Sequence, residues 1–293
     1  MELSMSKSIQ CDVCGNDLWK TSGKELIICL FCGLVRAKVN PTTEELIKCY
    51  QEDYFFGDEY VDYIKDKEAL SKNFRLRIRD LEKQNAIHRG KRIVEIGCAY
   101  GFFLSELKEK GYEAVGYDIA EDGVVYGCKK LGVDARVGNI QDMKELSANT
   151  ICMWDVIEHV PNPNIVMKNV SEILPIGGHV ALTTGDIGAL VPKIQKNKWR
   201  MIHPPTHLFY FSRSSITKLL EKHGFYIISF SHPGVTRSVD SILRMIILFR
   251  EKEGLSTGFF MVLYKFCSVI RLTRLNVKLN LFDIMQVIAV KKR

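Results

Sequence analysis

A chain of 293 residues, 46% hydrophobic and 26% charged, is long enough for one large domain with small additions and apolar enough to bury a core, which excludes global disorder. No apolar run reaches the roughly 18 residues that cross a membrane, residues 1–10 lack the apolar centre of a secretory signal, and nine cysteines without export read as thiols or metal ligands in a cytoplasmic protein. The net charge is +7, and residues 237–293 carry eleven Lys and Arg against four acids, so the remainder is neutral and a uniformly basic nucleic-acid surface is disfavoured.

The first forty residues read as a zinc ribbon. Cys11-Asp12-Val13-Cys14-Gly15 is answered, fourteen residues later, by Cys29-Leu30-Phe31-Cys32-Gly33. Thiolates from Cys11, Cys14, Cys29 and Cys32 at these spacings close a tetrahedral zinc site, and the glycines let backbone N–H groups turn toward the sulfurs. Such a metal gives a fold to a segment too short for its own core, and four protein ligands leave no open position for catalysis.

Residues 41–90 read as a linker and an aromatic-rich helical cap. Tyr54, Phe55, Phe56, Tyr60 and Tyr63 precede a helix expected over 67–84, and packing on the main domain is favoured over direct ligand contact.

Residues 91–293 alternate strand and helix signals, which implies a parallel sheet with crossovers. Strands are expected near 92–96, 113–118, 134–138, 150–154, 178–184, 225–231 and 281–290. Helices are expected over 102–110, ended by Gly111, and 212–223, with Ser212 as N-cap and Gly224 as the stop. The last strand follows an insertion and is expected to pair antiparallel at an edge. The fold class is therefore α/β: a doubly wound, seven-stranded, mainly parallel sheet with an antiparallel edge strand, a small zinc ribbon and a helical insertion.

The turn after the first of these strands, "IVEIGCAYG" over 93–101, carries the chemistry. A dinucleotide fingerprint requires G-x-G-x-x-G, but the small residues are Gly97, Ala99 and Gly101, and Phe102 takes the third glycine's place. Asp118, at the end of the second strand, can accept hydrogen bonds from both hydroxyls of a ribose. Together they point to an adenosine without a diphosphate.

These residues resemble the first motif, acid-x-G-x-G-x-G, of the Rossmann-like, class I S-adenosylmethionine-dependent methyltransferases, with Ala99 at the middle glycine. The resemblance covers 91–224 and resumes at 281–290. "WDVIEHVPNP" (154–163), "LPIGGHVALTT" (174–184) and "HPPTHLFYFSRSSITKLLEKHGF" (203–225) are similar to the branch holding ubiquinone-pathway O-methyltransferases and sugar or natural-product enzymes. It implies that Gly97, Ala99 and Gly101 pass beneath the cofactor's methionine part and that Glu95 orients its amino group. Asp118 takes the ribose, Asn139 stands where the family has an acid touching adenine, Ile140 adds an apolar or backbone contact, and Asp155 borders the cofactor. It further implies a divalent-cation site at Asp155, Glu158 and His159; alternatively Glu158 and His159 cap a helix or bind loop backbone. Asp155, His159, His203 and His207 are acid–base candidates beside Tyr210, with His207 expected to face the active-site mouth.

The insertion over 238–280 reads as two apolar helices joined at Glu253-Gly254 and flanked by Arg and Lys. It is a lid, a dimer face, or an interfacial hairpin at the inner membrane face; the oligomeric state is open. The function implied is methyl transfer to a small-molecule acceptor: a sugar, a lipid-linked precursor or a prenylated ring. Two alternatives are an rRNA or tRNA methyltransferase and a non-catalytic partner-binding module. Against the first stand the lack of an N-P-P-Y-like motif, of a Pro-Cys nucleophile and of a dense basic stripe; against the second, the intact Glu95, Gly97, Gly101 and Asp118.

Overall fold

A computed structural model describes residues 9–23, 25–39, 41–42, 45, 62–139, 146–252 and 254–293. Tyr54, Phe55, Phe56, Tyr60 and Ile140 lie outside the described residues.

Three short antiparallel strands, β1 (Trp19–Ser22), β2 (Leu26–Cys29) and β3 (Val35–Ala37), follow the first cysteine pair. Gly15 and Gly33 have φ of 75° and 76°, and each donates its N–H to the carbonyl of the first cysteine of its pair. A side chain at those positions would be strained.

The main sheet contains β4 (Ile93–Ile96), β5 (Ala114–Asp118), β6 (Ala135–Val137), β7 (Thr150–Trp154), β8 (His179–Gly185), β10 (Phe225–Ser231) and β13 (Ile284–Lys291). Their order is β10-β13-β8-β7-β4-β5-β6, with β4 to β8 parallel and β13 antiparallel to both neighbours. Every residue of β4 and β7 is buried, as in parallel strands covered on both faces. The seven strands and the one antiparallel strand are those expected. That strand stands one place in from the margin: the successive residues Val287, Ile288 and Ala289 are all buried, whereas β10 at the margin exposes Tyr226.

Helices cover both faces. On one, α1 (Lys67–Lys83) and α2 (Phe102–Glu109) bury Phe74, Ile78, Leu81, Phe103 and Leu107. On the other, α4 (Pro163–Ile173) and α6 (Arg213–Lys222) bury Val166, Val170, Ile216 and Leu219. Between them in the chain run α3 (Glu121–Tyr126) and α5 (Leu190–Gln195). Ser212 caps α6 through a reciprocal pair with Ser215, as its sequence position implied.

The strand β9 (Phe209–Tyr210) pairs antiparallel with β3, so the cysteine-bearing sheet takes its fourth strand from the α/β body. Cys11, Val13 and Leu34 share one core with Val94, Ile151, Leu208 and Phe211.

The insertion rises on a two-stranded stalk, β11 (Val235–Ser238) with β12 (Asn276–Leu279), and carries α7 (Val239–Lys252) and α8 (Gly258–Val269). No residue of α8 is buried, and Phe259, Val262, Phe266 and Val269 are 60–81% exposed along one helical face. Among the described residues, no helix is long and apolar enough to cross a membrane. The stalk is fastened to α1: Asn73 exchanges two hydrogen bonds with the backbone of Thr236, and Ser238 donates to Asp66.

Candidate active site

Ligands of open parallel sheets bind beyond the carboxyl ends of the strands, where the strand order reverses. Here the chain runs β4, β5, β6 in one direction and then returns to place β7 on β4's other side. The ends of β4 and β7 therefore flank the reversal, and they deliver Glu95, Gly97 and Asp155 to one cavity of about 720 Å³ including its open mouth.

Gly97 has φ +73°, and a Cβ there would stand 2.4 Å from Val156 Cγ2. The turn stays tight because only hydrogen occupies that space. Ala99 also takes a left-handed φ of +44°, while its N–H donates to Asp118 Oδ2 at 2.7 Å; Ala120 N–H donates to Asp118 Oδ1 at 2.8 Å. Asp118 thus ties the turn to the loop after β5 and keeps lone pairs on both oxygens. A glycine at position 99 relieves the left-handed strain, so Ala99→Gly is expected to raise unfolding stability by up to about 1 kcal/mol in urea titration; a loss of stability would refute the strain.

Glu95 is 2% exposed, and its Oε2 has no hydrogen-bond partner among the described residues. Burial raises its pKa well above the carboxylate range, opposed by Arg77 and reinforced by Asp118. Arg77, on α1, lies over the Trp154 ring at 4.8 Å and reaches Asp155 Oδ2 at 3.4 Å. Asp155 has φ +56°, and its Oδ1 accepts from Thr183 Oγ1 at 2.8 Å, which turns its carboxylate toward β8. Within the cavity, whose lining also includes Asp66 and Arg237, the Arg77 guanidinium therefore stands near Glu95 and Asp155, beside a Trp154 indole N–H that has no partner among the described residues. Arg77, Asn73 and Thr236 line it without having been singled out in sequence. Only the register of Arg77 beside Phe74, Ile78 and Leu81 could have signalled its inward face.

Of the remaining expected cofactor positions, Ala99, Gly101, Asp118 and Asn139 are not among the residues that line the cavity; Ala99 follows its lining residues Gly97 and Cys98 and is tied to Asp118, and Asn139 follows the carboxyl end of the parallel strand β6. Tyr63 lines the cavity and also stacks on Phe102 at 5.3 Å, so it both packs and borders the ligand space.

Of the three candidate histidines only His207 had an expected place, the active-site mouth, and the structure puts it elsewhere. His207 is 3% exposed and does not line the cavity; Phe209 and Phe211, 1% and 0% exposed, draw the segment into the core. His207 Nδ1 bonds to Met201 O and His159 Nδ1 to Thr206 O, each at 2.8 Å. Burial lowers His159 to about 4 and His207 well below the usual imidazole range. His203 lies against His207 with centroids 3.8 Å apart and the rings tilted by 42°, and its Nδ1 bonds Thr206 Oγ1, while the Tyr210 hydroxyl donates to His207 O. Asp155 is not part of the cluster formed by Glu158, His159 and His207.

In the ribbon, Cys11 Sγ lies 3.4 Å from Cys32 Sγ and Cys14 Sγ 3.6 Å from Cys29 Sγ, with all four sulfurs within 4.8 Å of one another. Four ligands about 2.3 Å from a tetrahedral zinc stand ~3.8 Å apart, so the set fits that ion.

The seven-stranded sheet is that of the class I, S-adenosylmethionine-dependent methyltransferases. The methyltransferase domain family matches residues 67–229, more than half of the chain, and the chain belongs to it. A SAM-dependent methyltransferase from Archaeoglobus fulgidus has the same fold, with TM-score 0.52 and 15% identity, covering 82% of this chain and 100% of that one. Magnesium protoporphyrin IX methyltransferase from Synechocystis PCC 6803, solved with bound SAH, aligns at TM-score 0.50 and 13% identity over 76% of this chain and 84% of its own. Among curated proteins, a ubiquinone biosynthesis O-methyltransferase of Vibrio cholerae is 27% identical over 112 residues, 36% of this chain and 45% of the relative. The chain thus spans less than half the length of that relative.

Proposed function

We propose that this protein transfers a methyl group from S-adenosylmethionine to a small-molecule acceptor. The observation that carries this reading is the Glu95–Gly97 turn at the strand reversal, with a buried, unpartnered carboxylate oxygen suited to an ammonium. Glu95 accepts the cofactor's amino group, Arg77 supplies the countercharge for its carboxylate, Gly97, Ala99 and Gly101 pass beneath the methionine part, Asp118 holds the ribose hydroxyls, and Asn139 meets the adenine. When bound, the sulfonium supplies an activated methyl for in-line displacement, so the chain's main work is positioning and exclusion of water. Asp155 is the acid–base candidate that faces the cavity. Calorimetry tests the reading: S-adenosylmethionine and S-adenosylhomocysteine should bind, and Asp118→Ala should weaken both by about a hundredfold, near 3 kcal/mol. Absence of binding at high micromolar ligand would return the chain to the non-catalytic alternative.

The acceptor is proposed to be membrane-borne, a lipid-linked precursor or prenylated ring, with the insertion resting on the anionic inner face of the membrane. The exposed apolar face of α8 and the exposed Lys265, Arg271, Arg274 and Lys278 around it support this. Apolar residues enter the interface while each cation near anionic headgroups contributes roughly 1 kcal/mol. The full chain should co-sediment with phosphatidylglycerol vesicles, and Phe259→Asp with Val262→Asp should release it. Equal sedimentation of both forms would remove the membrane from the proposal.

A further inference from the structure

We propose that Glu158, His159 and His207 form a second metal site that takes a divalent transition metal of the zinc class. One donor atom from each residue lies within 4.8 Å of those of the other two. A carbonyl oxygen can only accept, so the 2.8 Å contacts of His159 Nδ1 to Thr206 O and of His207 Nδ1 to Met201 O fix the proton on Nδ1 in both rings. The lone pair is then on Nε2, the arrangement that metal-ligating histidines adopt when their second nitrogen is anchored.

The donors are also held in place. Glu158 O accepts from the N–H groups of Leu208 and Phe209 at 2.9 and 3.1 Å, which locks the segment after β7 against the start of β9. Glu158 is 1% exposed, so its carboxylate stands in the protein interior together with the two imidazoles. One carboxylate with two imidazoles suits zinc, iron or manganese better than magnesium or calcium, which prefer oxygen donors, and three protein ligands leave a tetrahedral position open.

This set departs from the cation site that the family resemblance implies. Asp155 is engaged by Thr183 and Arg77, and a histidine 48 residues beyond His159 in the chain replaces it, which turns an oxygen-rich site into a nitrogen-rich one. Because β9 also pairs with β3, a metal here would join the loop beside the cavity to the cysteine-bearing sheet.

The full chain, stripped with chelator and reloaded with excess cobalt(II), provides the test. About two cobalt ions per chain are expected, one with the thiolate charge-transfer band of the four-cysteine site and one with only weak ligand-field bands. Glu158→Gln and His207→Gln should each halve the cobalt content and leave the thiolate band unchanged, with thermal unfolding used to verify that each variant is folded. Asp155→Asn should keep both ions. The proposal fails if the wild-type chain takes up only the thiolate-bound ion, if a folded Glu158→Gln variant retains both, or if Asp155→Asn loses the second.

Discussion

Replacing Gly97 with alanine is expected to weaken S-adenosylmethionine binding by roughly a hundredfold while the chain stays folded. The backbone at φ +73° already disfavours a side chain, and the new Cβ would stand 2.4 Å from Val156 Cγ2. Left-handed backbone costs about 1–2 kcal/mol and overpacking about 1–3, and each ~1.4 kcal/mol is tenfold in affinity. Val156 cannot yield alone, because it lies between Asp155 in the cavity and Ile157, which is fully buried. Gly177→Ala separates the two terms: φ there is +82°, but nothing lies within 4 Å of the added carbon. That variant should lose stability without losing affinity, and a Gly97→Ala protein binding within threefold of wild type would contradict the cradle.

Cys29→Ser is expected to destabilise the whole chain and not the ribbon alone. Structural zinc contributes on the order of 10–16 kcal/mol to the folding of small domains, and loss of one ligand should remove at least about 3. For a body of this size that lowers the melting temperature by roughly 6–12 °C. The coupling follows from the β3–β9 pairing and from the core that Cys11, Val13 and Leu34 share with β4 and β7 residues. Calorimetry should show one transition moving as a unit. A separate low-temperature transition with an unmoved main peak would mean that the ribbon unfolds alone. Cys128→Ser, at an exposed thiol outside the cluster, should leave the melting temperature unchanged.

The parts of this protein legible in sequence are those whose cause is local. Strand runs such as Ile93–Ile96 and the Ser212 cap depend on neighbours a few positions away and stand as read, and the four cysteines do come together as their spacing implied. The carboxylate–amide tie between Asp118 and Ala99 was half visible: the acid at the strand end could be named, but not the N–H groups it holds.

What only the tertiary structure decided depends on contacts between distant segments. Arg77 meets Asp155 across 78 residues, and Asn73 meets Thr236 across 163, so no window of sequence carried either. His207 read as a residue aimed at the active-site mouth because it precedes an aromatic run; the structure buries it, since that run supplies β9 to the cysteine-bearing sheet and Phe211 to the core. The last strand's inward place likewise depends on a distant segment, because β10 pairs with its outer edge. The sequence by itself determined the strands and helices, the small-residue turn after β4 and the spacing of the four cysteines, through local spacing and conformational preference. The tertiary fold decided which charges face the cavity and which histidines face one another, because burial joins residues that the chain keeps far apart.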